Sequence, residues 1–281
     1  MPFGYHRRIL HVNLTNGSIF QERPDDAFYR KYLGGSAMGM YYILNGMSPG
    51  ADPLGPDNIL TLMLSVLTGA PISGQSRLTA NAKSPLVDGI GDSQSGGFFP
   101  AELKFAGYDG IVVKGQSEKP VYLWIKDGEA ELRNATHLWG KSTGDVNDIL
   151  ISELNDKKIE VMQCGPAGEK LSCLAAIINM ANRANGRTGL GAVMGSKRLK
   201  AIVVRGTSKK LPVASPKQLN NFARSGVTGF NDNVSMVGLR KDGTAGVTSR
   251  QHADGGLPTY NFNSGQFADS DSISGETMTD T

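Results

Sequence analysis

The chain has 281 residues, a length that favours one or two domains. Hydrophobic residues make up 39% and charged residues 20%, so the composition supports a buried core and excludes a disordered chain. With 29 Lys and Arg against 26 Asp and Glu, the net charge is only +3, and it gives no reason to expect a nucleic-acid binder.

The predicted elements begin with a hairpin, in which Asn16-Gly17 joins an alternating strand that contains Ile9–Leu14 to a return strand from Ser18 to Gln21. Asp25 or Asp26 caps a short helix that Gly34-Gly35 ends. The elements predicted next are a helix at 36–45, strands at 59–67 and 76–83, a polar Gly-rich loop at 92–97, a helix at 98–106 and a strand at 110–114.

The second part of the chain starts with another hairpin, since Asp127-Gly128 separates two strand patterns. Thr143 is predicted to cap a helix to Leu154. The strands predicted here lie at 121–126, 129–133, 159–163 and 199–205. This order is α+β rather than a regular βαβα alternation.

Composition changes after about Leu211, and the chain becomes polar and Gly-dotted. A helix is predicted to start at Ser215-Pro216. The rest of the segment has few large apolar residues and is expected to be mobile when isolated. No internal repeat is visible in the letters of the sequence.

A glycine- and arginine-rich run, Asn182–Lys197, is the densest candidate for ligand binding. Glycines let a backbone approach a ligand and form anion-binding nests, and guanidinium groups make bidentate contacts to phosphate. The spacing fits neither the Walker loop nor the dinucleotide fingerprint. Two interpretations therefore stay open, a site for a phosphate-bearing anion and a turn with two solvated arginines, Arg183 and Arg187.

Two weaker candidates precede it. The loop at 92–97 offers backbone donors before a helix, although a surface turn explains it equally well. Arg77 and Lys83 share a face of a predicted strand, which is usually a solvated face.

Other chemistry is disfavoured. The two cysteines, Cys164 and Cys173, are too few for a disulfide scaffold or a four-cysteine metal or iron–sulfur site within this chain, and the four histidines lack metal-ligand spacing. Cys164 is expected to be a buried small hydrophobe. The string GMSPG at 46–50 is interpreted as a turn because Pro49 has no N–H for an oxyanion.

No run reaches the ~20 apolar residues of a membrane span, and no signal peptide is visible, so a cytoplasmic protein is expected.

Several strings together resemble one family. These are ILHVNLTNG, LGG at 33–35, LTG at 67–69, SR…KSPL from 76 to 86, SGG…AELKFAGYDGIVVKG, HLWGK, CGPAGE and RANGRTGLGAVMGSK. In this order, from about Gly4 to Gly206, they resemble the N-terminal domain of the aldehyde ferredoxin oxidoreductase family, which are tungsten enzymes with a bis-pterin cofactor.

The resemblance implies a base of two β-sheets related by pseudo-twofold symmetry, with few short helices, against which the pterins lie. It implies a cofactor domain at 1–210 and an incomplete helical domain at 211–281. It places the cofactor contacts at Arg77, Gln94, Gly96, Arg183, Ala184, Gly186 and Arg187. It also implies a magnesium ion, which would take main-chain oxygens near Gln94 and Ala184.

The sequence departs from the family at three places. Gln94 stands where the family commonly has Asn, and Ser36 stands where many members have Arg. The family's Cys-x-x-Cys-x-x-x-Cys run, which binds a [4Fe–4S] cluster, does not occur here. The chain is therefore expected to stop before the cluster ligands and most of the aldehyde pocket.

The resulting hypothesis is the cofactor-binding part of a tungsten, less favourably molybdenum, aldehyde oxidoreductase that is inactive alone. Its expected partners are an aldehyde, ferredoxin and a second polypeptide that carries the helical domains; a homodimer is left open, and no nucleic acid or membrane is expected. The alternatives are a non-catalytic module for a pterin or another phosphorylated ligand, and an orphaned β-rich domain that binds nothing.

Overall fold

The computed structural model describes residues 3–281 and divides into two compact units. The first unit ends at Pro216, and the second covers Lys217–Thr281. The first unit carries the β-structure on which the predicted site residues lie.

The strands of the described residues form two six-stranded sheets. Sheet A contains β1 (Ile9–Asn13), β2 (Ser18–Glu22), β3 (Leu60–Leu64), β4 (Leu78–Lys83), β5 (Ile90–Ser95) and β6 (Gly110–Lys114). Sheet B contains β7 (Val121–Lys126), β8 (Glu129–Asn134), β9 (Glu160–Cys164), β10 (Ile177–Asn179), β11 (Arg183–Asn185) and β12 (Leu199–Arg205).

The two sheets repeat one topology. Sheet A has the order β2-β1-β6-β3-β4-β5, and sheet B has the order β8-β7-β12-β9-β10-β11 when it is read in the same direction. In each sheet the first strand of the opening hairpin pairs in parallel with the last strand, and the other pairs are antiparallel. The prediction of an α+β fold built on two related sheets is confirmed, although the repeat is invisible in the letters.

The sheets pack face to face around one shared apolar core. Leu10 and Val12 on β1 point into this core together with Ile202 and Val204 on β12, while Ile9 faces the opposite side. This is the alternation that a period-2 strand requires when both of its faces are covered. Two smaller cores fill the outer faces of sheets A and B.

Six α-helices accompany the sheets within the described part of the first unit. They are α1 (Asp26–Tyr32), α2 (Gly35–Gly46), α3 (Phe99–Phe105), α4 (Thr143–Leu154), α5 (Pro166–Glu169) and α6 (Leu190–Ser196). α2 packs on the outer face of sheet A and α4 on that of sheet B. α3 and α6 occupy equivalent places in the repeat, each before the last strand of its sheet, and both contribute to the shared core.

Helix capping follows the sequence with one correction. Asp25 caps α1 by accepting the N–H of Phe28 at 2.8 Å, as predicted. α4 is capped by Ser142 rather than by Thr143, because the Ser142 side chain accepts the N–H of Asp145.

Two predictions of elements were wrong, and two short strands were missed. The segment 92–97 is mostly the edge strand β5 and not a loop. The strand predicted at 59–67 ends at Leu64, because Ser65 and Thr68 close a turn through the 3.0 Å bond from Ser65 N–H to Thr68 Oγ1. The short strands β10 and β11 were not predicted.

The second unit is helical. It contains α7 (Pro216–Thr228, whose first residue belongs to the first unit), α8 (Val234–Asp242), α9 (Thr248–Ala253) and α10 (Gly275–Asp280), with 3₁₀ turns between them. Across residues 217–281, all of which the structure describes, no hydrophobic side chain is buried. No helix within residues 3–281 is long and apolar enough to cross a membrane.

Candidate cofactor-binding site

The first wall of the candidate site is the edge of sheet A. Gln94 lies on β5 with its side chain exposed, opposite Thr79 on β4. Arg77 is exposed and directly precedes Leu78, whose partner on β5 is Ser95. The Ser76 hydroxyl donates to the carbonyl of Gly97 at 2.6 Å, and this bond holds the approach to β4 beside the end of β5. Arg77, Gln94 and Gly96 therefore lie on neighbouring chain segments.

The second wall is the edge of sheet B. Arg183 and Ala184 are exposed on β11, whereas Asn185 at its end is fully buried. Gly186 and Arg187 follow and are exposed again. Asn185 is thus the one buried residue of the segment 183–187, and the four predicted residues are the exposed ones.

The two walls are joined directly. The Asn185 side-chain amide donates to the carbonyl of Ser93 at 2.6 Å, and its oxygen accepts the Ser95 hydroxyl at 2.8 Å. The N–H of Arg187 donates to the Ser93 hydroxyl at 3.1 Å. β5 and β11 are consequently adjacent, and all seven predicted contact residues converge on one junction between the sheets.

The chemistry of this junction fits an anionic, oxygen-rich ligand. It presents three exposed guanidinium groups, from Arg77, Arg183 and Arg187, and one exposed amide, from Gln94. Guanidinium forks suit phosphate and ring carbonyl groups. A Cβ at Gly186 would approach only Ala184 Cβ at 3.7 Å, so the glycine leaves room for a ligand against the backbone.

One carboxylate of β5 is already engaged by other side chains. Asp92, two residues before Gln94 on β5, accepts a hydrogen bond from the Ser36 hydroxyl and one from the Asn81 amide at 2.9 Å. The Arg side chains therefore dominate the charge that faces a ligand.

The Gly-rich run Asn182–Lys197 divides into two parts with different roles. Gly189, Gly191 and Gly195 do not form an anion nest, because each is pressed against backbone; a Cβ at Gly195 would overlap the carbonyl oxygen of Gly168. These glycines allow α6 to pack on α5 and the chain around it. Only the part that ends at Arg187 belongs to the candidate site.

The lysines proposed near this site serve the fold instead. Lys197 is fully buried and donates to the carbonyl of Gly115 at 3.1 Å, and burial lowers its pKa to about 8. Lys83 pairs with Asp88 at 2.8 Å, at the opposite end of β4 from Arg77.

The remaining candidates are structural. Cys164 is buried, as predicted, and burial raises the pKa of its thiol to about 12, so it is a poor nucleophile. The string at 46–50 forms the end of α2 and the turn after it. Within residues 3–281, no three His, Cys, Asp or Glu side chains cluster in a way that could hold a metal ion.

Sequence reasoning missed the buried residues that join the walls, namely Ser93, Ser95 and Asn179. Their signal was weak: they are small polar residues, and the two serines flank Gln94 in a segment interpreted as a loop. A strand assignment for 90–95 would have placed the two serines on one face.

The first unit is thus a fold of two like sheets whose edge strands, β5 and β11, meet at a junction that presents exposed arginines. The sequence from 9 to 206 matches the family model described as the aldehyde ferredoxin oxidoreductase N-terminal domain. The chain belongs to this family.

Relatives extend the match to nearly the whole chain. The tungsten-containing aldehyde ferredoxin oxidoreductase of Thermococcus kodakarensis is 44% identical over 278 residues, 99% of this chain and 46% of the relative. That of Pyrococcus furiosus is 42% identical over 277 residues, 98% of this chain and 46% of the relative. The chain thus spans about half the length of these curated relatives.

A solved structure supports the fold. The active-site complex BamBC of benzoyl coenzyme A reductase, with 1,5-dienoyl-CoA, matches with a TM-score of 0.79 and 35% identity. The match covers 83% of this chain and 35% of that chain.

Proposed function

We propose that this chain holds the tungsten–pterin cofactor of an aldehyde oxidoreductase, with its seat at the junction of β5 and β11. The observation that carries the proposal is the convergence of three exposed arginines, one amide and an open glycine on two joined edge strands. When bound, the cofactor would supply the redox chemistry that oxidises an aldehyde to a carboxylic acid. The protein supplies binding, orientation and electrostatics.

The residues of the seat divide by chemistry. Arg77, Arg183 and Arg187 would neutralise phosphate groups and donate in bidentate fashion. Gln94 stands where the family commonly has Asn. It would contact the cofactor through its backbone, because a backbone contact does not depend on which of the two side chains is present. Gly96 and Gly186 would let the ligand approach the main chain. The main-chain oxygens of Gln94 and Ala184 would serve a magnesium ion, which prefers oxygen ligands.

The test is cofactor retention by a double variant. The Arg183→Ala, Arg187→Ala protein should carry at least about tenfold less pterin and tungsten than wild type after gel filtration, because two charge-assisted contacts of the kind worth ~1.5–3 kcal/mol are lost. Pterin is measured by fluorescence after acid extraction and tungsten by mass spectrometry, on protein from cells grown with tungstate.

The matched control removes two exposed arginines that lie outside the seat, Arg30 on α1 and Arg224 on α7. The control and the double variant should have the melting temperature of wild type. Equal retention in both double variants would show that Arg183 and Arg187 do not hold the cofactor.

A second function is favoured by one observation: the side chains of the seat are cations and an amide, and the adjacent Asp92 is held by Ser36 and Asn81. No group there is free to move a proton at a substrate within the part of the chain that the structure describes. The alternative is therefore a non-catalytic module for a pterin or another phosphorylated ligand. Purified chain that carries pterin without tungsten, even when a partner is supplied, would favour it.

The proposal also covers what the complete aldehyde oxidation would need beyond the cofactor seat. We infer that residues 1–210 form the cofactor domain and that 211–281 start a helical domain. Ferredoxin is the proposed electron acceptor, and a second polypeptide would complete the aldehyde pocket. Turnover of an aldehyde by the purified chain alone, with a dye as acceptor, would contradict this division of labour.

A further inference from the structure

Four buried polar residues form a line of hydrogen bonds where the two sheets meet. Ser93 and Ser95 come from β5, Asn179 ends β10, and Asn185 ends β11. None of the four exposes more than 3% of its surface. We call this set the inter-sheet seam.

The seam replaces the pairing that an edge strand lacks. β5 is the last strand of sheet A, so its outer backbone groups need partners from elsewhere. The Asn185 side chain provides one of them, since its amide donates to the Ser93 carbonyl at 2.6 Å, and its oxygen also accepts from the Ser95 hydroxyl at 2.8 Å. One amide thereby fixes two successive inward positions of β5.

The Ser95 hydroxyl lies at the centre of the seam. It donates to Asn185 Oδ1 and accepts from Asn179 Nδ2 at 3.0 Å, and that nitrogen also donates to the carbonyl of Gly96 at 3.2 Å. A second link runs in parallel, from the N–H of Arg187 to the Ser93 hydroxyl at 3.1 Å. Two hydroxyl groups thus tie β5 to both segments of sheet B that flank it.

Seam residues and proposed cofactor residues alternate along the chain. Gln94 lies between Ser93 and Ser95, and Asn185 separates Ala184 from Gly186. Neighbouring residues of a strand point to opposite faces, so a shift of a buried seam residue moves the exposed residue beside it. The contact is also tight, since a Cβ at Gly97 would lie 2.6 Å from Asn179 Oδ1.

We propose that the inter-sheet seam sets the separation of the two walls of the cofactor seat, with Ser95 as the principal positioning residue. The inference rests on the proposed function, because it names what holds the proposed ligands in register. None of the four seam side chains needs to touch the cofactor for this role.

The experiment compares three variants that each remove one oxygen: Ser95→Ala, Ser93→Ala and the control Ser196→Ala. Ser196 is also a buried serine, with its hydroxyl bonded locally to the carbonyl of Val193 at 2.9 Å, away from the seam. Amide hydrogen exchange is measured on cofactor-free protein for the segments 183–188 and 121–134. Melting temperature and the pterin and tungsten contents of purified protein are measured in parallel.

Exchange in 183–188 should rise about tenfold in Ser95→Ala and in Ser93→Ala, the effect of losing one or two net hydrogen bonds, and stay at the wild-type rate in Ser196→Ala. Exchange in 121–134 should not change in any variant. Both seam variants should retain at least about threefold less cofactor than Ser196→Ala. Their melting temperatures should equal that of Ser196→Ala.

Two failures can be told apart. If wild-type protein carries cofactor and the seam variants retain as much as Ser196→Ala does, the seam has no positioning role and the proposed function still stands. If wild-type protein made with tungstate carries no pterin, the proposed function fails, and the positioning role falls with it. If the cofactor content of all three variants falls only in proportion to their melting temperature, the seam is ordinary packing and has no positioning role.

Discussion

Glu160 on β9 is a partly buried carboxyl group without a salt-bridge partner among the described residues. Burial raises its pKa to about 7, and the nearby Glu102 carboxylate adds to the effect. Glu102 itself is held by Arg205, whose Nη1 lies 2.8 Å from its oxygen. Of these two carboxyl groups, Glu160 is therefore the one whose ionisation near neutral pH destabilises the folded protein.

The sign of the pH effect follows from the raised pKa. The folded protein keeps a proton on Glu160 up to about pH 7, whereas the unfolded chain releases it near its ordinary pKa, so stability falls as the pH rises through this window. Glu160→Gln removes the penalty. It should raise the free energy of unfolding by about 1–2 kcal/mol at pH 8, after allowance for solvent screening, and by clearly less at pH 5.

Urea unfolding of wild type and Glu160→Gln at both pH values checks this prediction. Glu129→Gln is the control, since Glu129 is exposed on β8. A gain for Glu160→Gln that is the same at pH 5 and pH 8 would mean that the carboxyl group does not titrate in this range.

At the scale of elements, the contact between α5 and α6 depends on a glycine in each helix. Gly168 and Gly195 let the two short helices touch backbone to backbone, and a Cβ at Gly195 would overlap the carbonyl oxygen of Gly168. The atoms in contact are backbone atoms of both helices and not a flexible side chain that could move aside.

Gly195→Ala should therefore lower the free energy of unfolding by about 3 kcal/mol or more, because an overpacked backbone contact cannot relax cheaply. The control is Gly144→Ala in the first turn of α4, where a Cβ would meet only Ser142 Oγ at 3.9 Å. That change should be neutral or stabilising by up to ~1 kcal/mol. Thermal and urea unfolding measure both, and similar effects of the two substitutions would refute the packing role.

How far the sequence leads depends on the element. The hairpins at Asn16-Gly17 and Asp127-Gly128 and the helix capped by Asp25 were predictable, because turn chemistry and capping act locally. β5 was missed because its residues are small and polar, and its identity as a strand comes from pairing with β4. The short β11 likewise depends on contacts distant in sequence.

The same division applies to the candidate site. The family resemblance selected Arg77, Gln94 and Arg187, and the structure brings them to one junction. Residue types alone could not separate the open Gly186 from the packed Gly195, because both are glycines in one run. Only the position of α5 distinguishes them.

At the scale of the whole molecule, the two units differ in how they are held together. The first unit has a shared core between its sheets and a smaller core on each outer face. Within 217–281, all described, the buried residues are Thr259, Ser270, Ser274 and Gly275. Burial of apolar surface is the main stabilising term in folding, and the second unit has little of it.

Residues 217–281 should consequently open far more readily than the first unit when this chain is purified alone. Large side chains such as Phe222 and Val234 are exposed by 64% and 86%, so little free energy opposes their unfolding. Limited proteolysis should cleave this segment first and leave a resistant fragment that ends near residue 210. Amide exchange should be complete within minutes across α8 while β3 and β12 stay protected.

The protected strands serve as the internal control of the same sample. Addition of a polypeptide that covers the second unit should slow both cleavage and exchange there by mass action, without changing β3 or β12. Exchange in α8 as slow as in β12, with no partner present, would show that the second unit is stable on its own and that its exposed apolar side chains need no cover.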